Sequence, residues 1–146
     1  MKPLAILVFG VLTVIAALHA YWGLGGLWPG SDVRTLIDAV IGDPRMTAMP
    51  PAWMTFVVTA LIFSSGVFAL LSTVRAPRFV RLFIKAAVAF IALIFLARGV
   101  SGYALPASIR AGMSEPFATF DQLYYSPLCL ILGIAFVALF FARPRP

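Results

Sequence analysis

The chain has 146 residues, of which 62% are hydrophobic and 11% charged, and its formal net charge is +6 at neutral pH. Its mean hydropathy of +1.03 is too high for an ordinary soluble domain. The composition therefore excludes a water-soluble globular enzyme and predicts an integral membrane protein.

Four apolar stretches are long enough to cross a hydrocarbon core of about 30 Å, which takes about 20 helical residues. They cover residues 4–27, 52–74, 82–105 and 122–142. None alternates as a barrel strand does, and backbone polar groups inside a bilayer must be satisfied within the protein. We therefore predict an all-α membrane protein, an antiparallel bundle of four transmembrane helices that forms a single domain over residues 1–146.

The first stretch has an alternative interpretation as a signal peptide, since Lys2 precedes an apolar run with a small-residue step at Ala20. Two features favour a membrane span instead. The apolar run continues past Ala20, and Leu18 is a poor residue at the third position before a cleavage site.

Basic residues are distributed unevenly between the two sides of this bundle. One side carries Lys2, Arg75, Arg78, Arg81, Lys85, Arg143 and Arg145. The other carries Arg34, Arg45 and Arg110 together with all the acidic residues, Asp32, Asp38, Asp43, Glu115 and Asp121. The positive-inside rule then predicts a multi-pass membrane protein with both termini in the cytoplasm.

The basic side is expected to contact anionic membrane lipids. A nucleic-acid partner is not expected, because no soluble surface presents basic residues interleaved with aromatic ones. The sequence does not indicate a protein partner.

A short amphipathic helix is predicted on the outer side, over residues 32–41. Ser31 and Asp32 offer an N-cap, Arg34 and Asp38 have a favourable i,i+4 spacing, and Gly42-Asp43-Pro44 ends the pattern. Apolar residues recur at helical spacing at Val33, Leu36, Ile37, Val40 and Ile41. Such a helix lies flat on the outer leaflet or covers the bundle as a lid, and both alternatives stay open here.

No metal or other cofactor is predicted. The only cysteine, Cys129, excludes an intramolecular disulfide and a CxxC pair. Haem ligation usually needs a second strong axial ligand, and His19 is the only histidine. Zinc held by His19 with Asp121 or Glu115 is conceivable but has no supporting spacing motif.

Three ionisable residues, His19, Arg98 and Asp121, interrupt or border the apolar stretches. At about 1.5 Å per residue, His19 is expected about 12 Å and Arg98 about 10 Å below the outer ends of their spans. Ionisable groups at such depth need a partner, a cavity or the headgroup layer. Arg98 is long enough to reach outward, so we predict an ion pair with Asp121.

Two local structures are expected around these residues. A fourth helix starting at Ser126 would be too short to span, so Asp121 is predicted as its N-cap, with Pro127 kinking it and freeing the carbonyl of Leu123. On the first span, His19, Gly23 and Gly26 share a helical face. The imidazole should therefore look along a groove left by the two glycines.

The resulting candidate site comprises His19, Tyr21, Trp22, Arg98, Asp121, Tyr124 and Tyr125. As a binding site for a lipid-like or small amphiphilic ligand, it would use Arg98 for an anionic or carbonyl-bearing headgroup, the aromatic rings as walls and His19 for proton exchange. The alternative is a structural or accessory subunit in which these residues only set helix packing. A proton path is disfavoured because the inner half of every span lacks ionisable groups until Lys85.

No nucleophile motif, paired carboxylates or phosphate loop indicates a reaction, so the sequence does not decide whether the protein is an enzyme. The segment HAYWGLGGLWP at residues 19–29, with FLAR at 95–98 and FATFD at 117–121 leading into YSPLCL at 125–130, resembles the bacterial membrane family catalogued as domain of unknown function 3995. The resemblance covers most of the chain. It implies a four-helix protein of the bacterial inner membrane whose signature is the His-x-Tyr-Trp motif, Arg98 and Asp121, and it implies no activity.

Overall fold

The computed structural model describes residues 1–142, and within that range the chain is helical with no β-strand. The helices are α1 (Lys2–Gly23), α2 (Val33–Val40), α3 (Ala52–Leu71), α4 (Arg78–Ala104), α5 (Ala107–Arg110), α6 (Phe117–Phe120) and α7 (Ser126–Phe141). A π-helical turn, Asp121–Tyr125, joins α6 to α7. The predicted all-α class is confirmed.

Four helical segments are long and apolar enough to cross a membrane, namely α1, α3, α4 and the continuous segment Phe117–Phe141. They correspond to the four predicted stretches, but their ends differ. The first helix stops at Gly23 rather than near residue 27, and the chain turns at Gly25, whose φ is +91°. The third span, α4, begins at Arg78, directly after Pro77, rather than near residue 82. The fourth span begins at Phe117 rather than near residue 122.

The spans pack mainly as two pairs, α1 with α3 and α4 with α7. The end of α1 meets the start of α3, where Gly23 faces the ring of Phe56. The start of α4 meets the end of α7, where the Lys85 ammonium lies over the ring of Phe140. Both contacts are consistent with the predicted antiparallel arrangement.

One apolar core joins the two pairs. Its buried members are Ala5, Val8, Leu12, Ala69, Ile84, Val88, Ile91, Ala92, Leu132, Phe136 and Leu139. Because α1 contributes Ala5, Val8 and Leu12, it is an integral part of the bundle and not an appended segment. Large apolar side chains on the outside of the spans, such as Leu61, Phe90 and Ile131, are well exposed. An apolar exterior of this extent fits a lipid environment rather than water.

The predicted amphipathic helix is present as α2. Asp32 is its N-cap and accepts a 2.8 Å hydrogen bond from the Thr35 backbone N–H, while the Thr35 hydroxyl accepts from the Asp32 backbone N–H. The Thr35 hydroxyl also donates a 3.0 Å hydrogen bond to Asp32 Oδ1. The two bonds that the Asp32 carboxylate accepts from Thr35, first the backbone one and then the side-chain one, lower the pKa of this carboxyl below its usual value because they stabilise the charged form. Arg34 and Asp38 form the expected i,i+4 ion pair, with 2.8 Å between Nη2 and Oδ1.

The apolar face of α2 is covered by the protein itself. Leu36 and Ile37 are 1% and 0% exposed. The Tyr125 hydroxyl donates a 3.0 Å hydrogen bond to the carbonyl of Ala39, and the Ser114 N–H donates a 2.9 Å bond to the carbonyl of Gly42. The structure therefore shows α2 docked on the rest of the chain, as the lid alternative expects, and we call it the lid helix.

Candidate functional site at the α2 end of the bundle

The predicted ion pair between Arg98 of α4 and Asp121 of the π-helical turn is present and direct. Arg98 Nη2 donates to Asp121 Oδ1 at 2.5 Å. The Asp121 side chain is 7% exposed, whereas that of Arg98 is 40% exposed. A carboxylate this deeply buried in an apolar bundle needs a compensating cation, and Arg98 supplies it.

Two small residues make room for this pair. Ser126, which is fully buried, lies 3.4 Å from Arg98 Nη1 and accepts a hydrogen bond through its hydroxyl. Gly102 lies one turn beyond Arg98 on α4 and packs directly against Ser126. A Cβ built on Gly102 would overlap the Ser126 hydroxyl and lie 2.6 Å from Asp121 Oδ2. Gly102 is therefore needed for α4 to approach the pair closely.

Sequence reasoning overlooked Gly102 and the part played by Ser126. The available signal was the pair of glycines Gly99 and Gly102, three residues apart directly after Arg98. Small residues at this spacing in a transmembrane helix are typical of a close helix–helix contact.

Asp121 is not the N-cap of the fourth span, so that prediction is wrong. Its backbone is helical, with φ −61° and ψ −43°, and the helix begins before it at Phe117. The segment Asp121–Tyr125 adopts π-helical hydrogen bonding, in which the Ser126 N–H donates to the carbonyl of Asp121, five residues earlier. The Asp121 side chain is therefore available to Arg98 instead of capping a helix.

Pro127 leaves a backbone carbonyl of the π-helical turn without its helical partner. In π-helical pairing the carbonyl of Gln122 would accept from residue 127, but proline has no N–H. The Tyr103 hydroxyl donates to that carbonyl instead, at 2.7 Å. The predicted freeing of the Leu123 carbonyl stays a prediction.

The two tyrosines of the site differ in their surroundings. Tyr125 is half-buried, donates to Ala39 of the lid, and packs against Phe117 and Phe120 at centroid distances of 5.9 and 6.4 Å. Tyr124 is exposed and contacts Phe120 edge-on at 5.9 Å. Tyr125 therefore holds the lid, while Tyr124 stands at the outer surface.

His19 forms a second group with residues at the end of α1. Its Nδ1 lies 2.9 Å from the carbonyl of Ile15, and because a carbonyl only accepts, Nδ1 carries the proton. The other ring nitrogen, Nε2, has no hydrogen-bond partner within residues 1–142. The Trp22 ring contacts the imidazole edge-on, with 5.0 Å between the centroids.

Trp22 and Tyr21 close the turn after α1. The Trp22 indole N–H donates to the carbonyl of Trp28 at 2.7 Å, and the Tyr21 hydroxyl lies 3.4 Å from the Trp28 N–H. Gly26 lies past the end of α1, against the Tyr21 ring, while Gly23 faces the Phe56 ring. The groove predicted from His19, Gly23 and Gly26 is therefore absent, because the helix ends too early and an aromatic ring fills the space.

The candidate residues thus fall into two groups. His19, Tyr21 and Trp22 form one group at the end of α1, while the others lie on α4 and on the π-helical turn. Within the described part of the chain, no side-chain hydrogen bond or ion pair joins the two groups. Nor do three His, Cys, Asp or Glu side chains of residues 1–142 come together as a metal site would require.

Comparison with known proteins adds a family but no activity. Nothing among curated proteins or solved structures matches the chain significantly. A family model described as "Protein of unknown function (DUF3995)" matches residues 12–136, a range that includes both groups of candidate residues. Because this match covers most of the sequence, the chain belongs to the DUF3995 family.

Proposed function

We propose that this protein binds the polar group of a lipid-like amphiphile at Arg98. The observation that carries the proposal is the asymmetry of the ion pair. Asp121 and Ser126 hold the guanidinium from the buried side, yet 40% of the Arg98 side chain remains exposed. An arginine that served packing alone would have no need of that exposed edge.

The Arg98 guanidinium has N–H donors that are not used within the protein. It carries five N–H groups in a fixed planar fork, suited to phosphate, carboxylate and carbonyl oxygens. The described contacts are one from Nη2 to Asp121 and one from Nη1 to Ser126. Donors are therefore left for an anionic or carbonyl-bearing headgroup, and Asp121 acts as the residue that positions the guanidinium.

The ligand can reach Arg98 from the side of the bundle. Ile94 and Ser101 lie four residues before and three residues after Arg98, so they share its helical face, and both are exposed. An acyl chain would lie along the apolar surface at Ile94, while its polar group meets Arg98. Tyr124, exposed on the neighbouring turn, provides an aromatic wall.

The site is assigned to the non-cytoplasmic face of a bacterial inner membrane. This assignment rests on the excess of basic residues at the opposite end of the bundle, which the positive-inside rule places in the cytoplasm. The lid helix α2 and every acidic residue then lie on the outer side.

Lipid retention by purified variants tests the proposal. Arg98→Gln should lose a lipid that co-purifies with the wild-type protein in mild detergent, as measured by native mass spectrometry. Arg98→Lys should retain only part of it, because an ammonium lacks the planar fork. Arg45→Gln is the matched control, since Arg45 is an exposed cation of the same end that is remote from the ion pair. Arg98→Gln that folds and retains the same lipid as wild type would contradict the proposal.

A structural role is the competing function, and the burial of Asp121 and Ser126 between α4 and α7 favours it. In that case the cluster only pins the fourth span to the third. Arg98→Gln would then lower the melting temperature while lipid content stayed at the level of Arg45→Gln. Measuring melting temperature and bound lipid on the same samples separates the two functions.

A further inference from the structure

A shallow groove opens at the opposite end of the bundle, which we call the basic end because it carries Lys2, Arg75, Arg78, Arg81 and Lys85. The end of α3, the start of α4 and the end of α7 meet there. The groove encloses only about 20 Å³, so a ligand would lie against it rather than inside it. Its lining includes Ser72, Arg81, Lys85, Val88, Leu139 and Phe140.

The two cations of this groove lie in an unfavourable electrostatic setting. Arg81 and Lys85 are four residues apart on α4, so they lie on one face, where like charges destabilise a helix. Arg81 also lies at the end of the first turn of α4, near the positive end of the helix dipole. An anion between them would relieve both repulsions.

No carboxylate side chain of the chain is placed to supply that anion. All the acidic residues belong to the α2 end, and both ion pairs within residues 1–142, Arg34–Asp38 and Arg98–Asp121, lie there too. The positive charge of the groove is therefore available to an external anion.

Lys85 is held in place before any anion arrives. Its ammonium lies 5.1 Å from the centroid of the Phe140 ring, and the side chain is half-buried. A cation–π contact of this kind orients the ammonium and leaves its N–H groups able to donate. Two apolar residues of the lining, Leu71 and Val74, are exposed at and just after the end of α3.

We infer that this groove is a specific site for the headgroup phosphate of an anionic glycerophospholipid, with Arg81 and Lys85 as the donors. The exposed apolar side chains of Leu71 and Val74 favour a lipid over free phosphate as the occupant, because an acyl chain can lie against them. The inference is independent of the proposed site at Arg98, which lies at the other end of the bundle.

Titration of the full-length protein in detergent with phosphatidylglycerol, followed by native mass spectrometry at about 0.15 M salt, tests the site. Salt at that level limits the reach of distant charges to about 8 Å. Arg81→Gln and Lys85→Gln should each lower the affinity about tenfold, as expected for the loss of a charge-assisted hydrogen bond. Lys2→Gln and Arg75→Gln, which remove the same charge at the same end but outside the groove, should lower it at most about fivefold.

Further measurements distinguish a lipid from a soluble phosphate ester as the ligand of the groove. They also exclude a purely structural effect of the substitutions. Phosphatidylcholine should bind more weakly than phosphatidylglycerol, and glycerol 3-phosphate should not displace the lipid. Lys85→Arg keeps the charge and should retain affinity within about threefold. If Lys85→Gln does not fold, the affinity of Arg81→Gln tests the site by itself, because Arg81 is exposed and its replacement should not disturb folding.

Three results would overturn the inference. Equal losses in all four neutralised variants would show a diffuse basic rim instead of a site. Unchanged affinity in folded Arg81→Gln and Lys85→Gln would show that the groove is not used. Displacement of the lipid by glycerol 3-phosphate would show a site for a soluble phosphate ester.

Discussion

At the scale of single residues, the ion pair between Arg98 and Asp121 connects stability with the proposed ligand binding. A buried pair gains little over an apolar contact, but removing one partner leaves the other uncompensated. Here the penalty is asymmetric, because Asp121 is buried while Arg98 keeps an exposed edge. Loss of Arg98 should therefore destabilise the protein more through the stranded carboxylate than through the lost guanidinium.

A double-mutant cycle of Arg98→Gln and Asp121→Asn measures this coupling. We expect the double variant to be more stable than the sum of the single losses predicts, with a coupling free energy between about 0.5 and 3 kcal/mol. Most of this range lies above the coupling of about 0.2–1 kcal/mol that is typical of fully exposed ion pairs, because Asp121 is shielded from solvent. Unfolding in mixed micelles supplies the free energies. Additive losses would show that the two charges act independently.

His19 shows how a residue type can be informative while its surroundings are not predictable. Because an ionisable ring within an apolar helix is unusual, the sequence alone identifies His19 as a candidate functional residue. The bond to the Ile15 carbonyl, which fixes the proton on Nδ1, and the edge contact with Trp22 are visible only in the structure. His19 therefore stays a candidate for proton exchange through Nε2, beside rather than within the Arg98 cluster.

At the scale of helices, the contact between α4 and the segment that leads into α7 depends on Gly102. Gly102→Ala should lower the free energy of unfolding by about 1–3 kcal/mol, because the added methyl group forces Ser126 and Asp121 to move. Thermal unfolding in detergent checks this.

Gly10→Ala is the matched control for Gly102→Ala. Gly10 also lies inside a spanning helix, but a Cβ there meets nothing within 4 Å. The control should be neutral or stabilising by up to about 1 kcal/mol, since alanine favours a helix. Similar losses in the two variants would show that helix propensity, not close packing, governs the effect at Gly102.

The lid helix α2 should respond to pH through its N-cap. The pKa of Asp32 is lowered in the folded state, so its capping contribution is fully present above the ordinary carboxyl pKa of 3.8 and is lost as the pH falls through the lowered value. Amide hydrogen exchange in α2, corrected for intrinsic rates, should therefore accelerate only in that acidic range.

Variants of Asp32 identify the source of this pH dependence. Asp32→Asn keeps a capping side chain without a titrating group, so its exchange should be protected and insensitive to pH in that window. Asp32→Ala should exchange faster at every pH. A pH response that persists in Asp32→Asn would assign the effect to another group.

At the scale of the whole molecule, the bundle separates its charges by end. The α2 end holds all the acidic residues, the lid and the buried ion pair, and the basic end holds a groove between the termini of three helices. A single apolar core lies between the ends and joins all four spans. The two proposed sites therefore lie at opposite ends of the packing that joins the spans.

Hydrophobic run length was enough to predict four spans, because a bilayer demands a stretch of about 20 apolar residues and a helical backbone whatever the neighbouring helices do. The amphipathic α2 and the Arg34–Asp38 pair were likewise predictable, since both follow from spacing within one helix. The pairing of Arg98 with Asp121 followed from charge compensation at membrane depth.

Features that depend on contacts between helices were decided only by the tertiary structure. The π-helical turn, the use of Gly102, the filling of the expected groove by Phe56 and the docking of α2 through Tyr125 each require knowing which residue from another part of the chain comes near. Sequence periodicity describes one helix at a time and carries no such information. The residues that bear charge were therefore determined by the sequence, whereas their partition into an ion-paired site, a separate His19 group and a basic groove was set by packing.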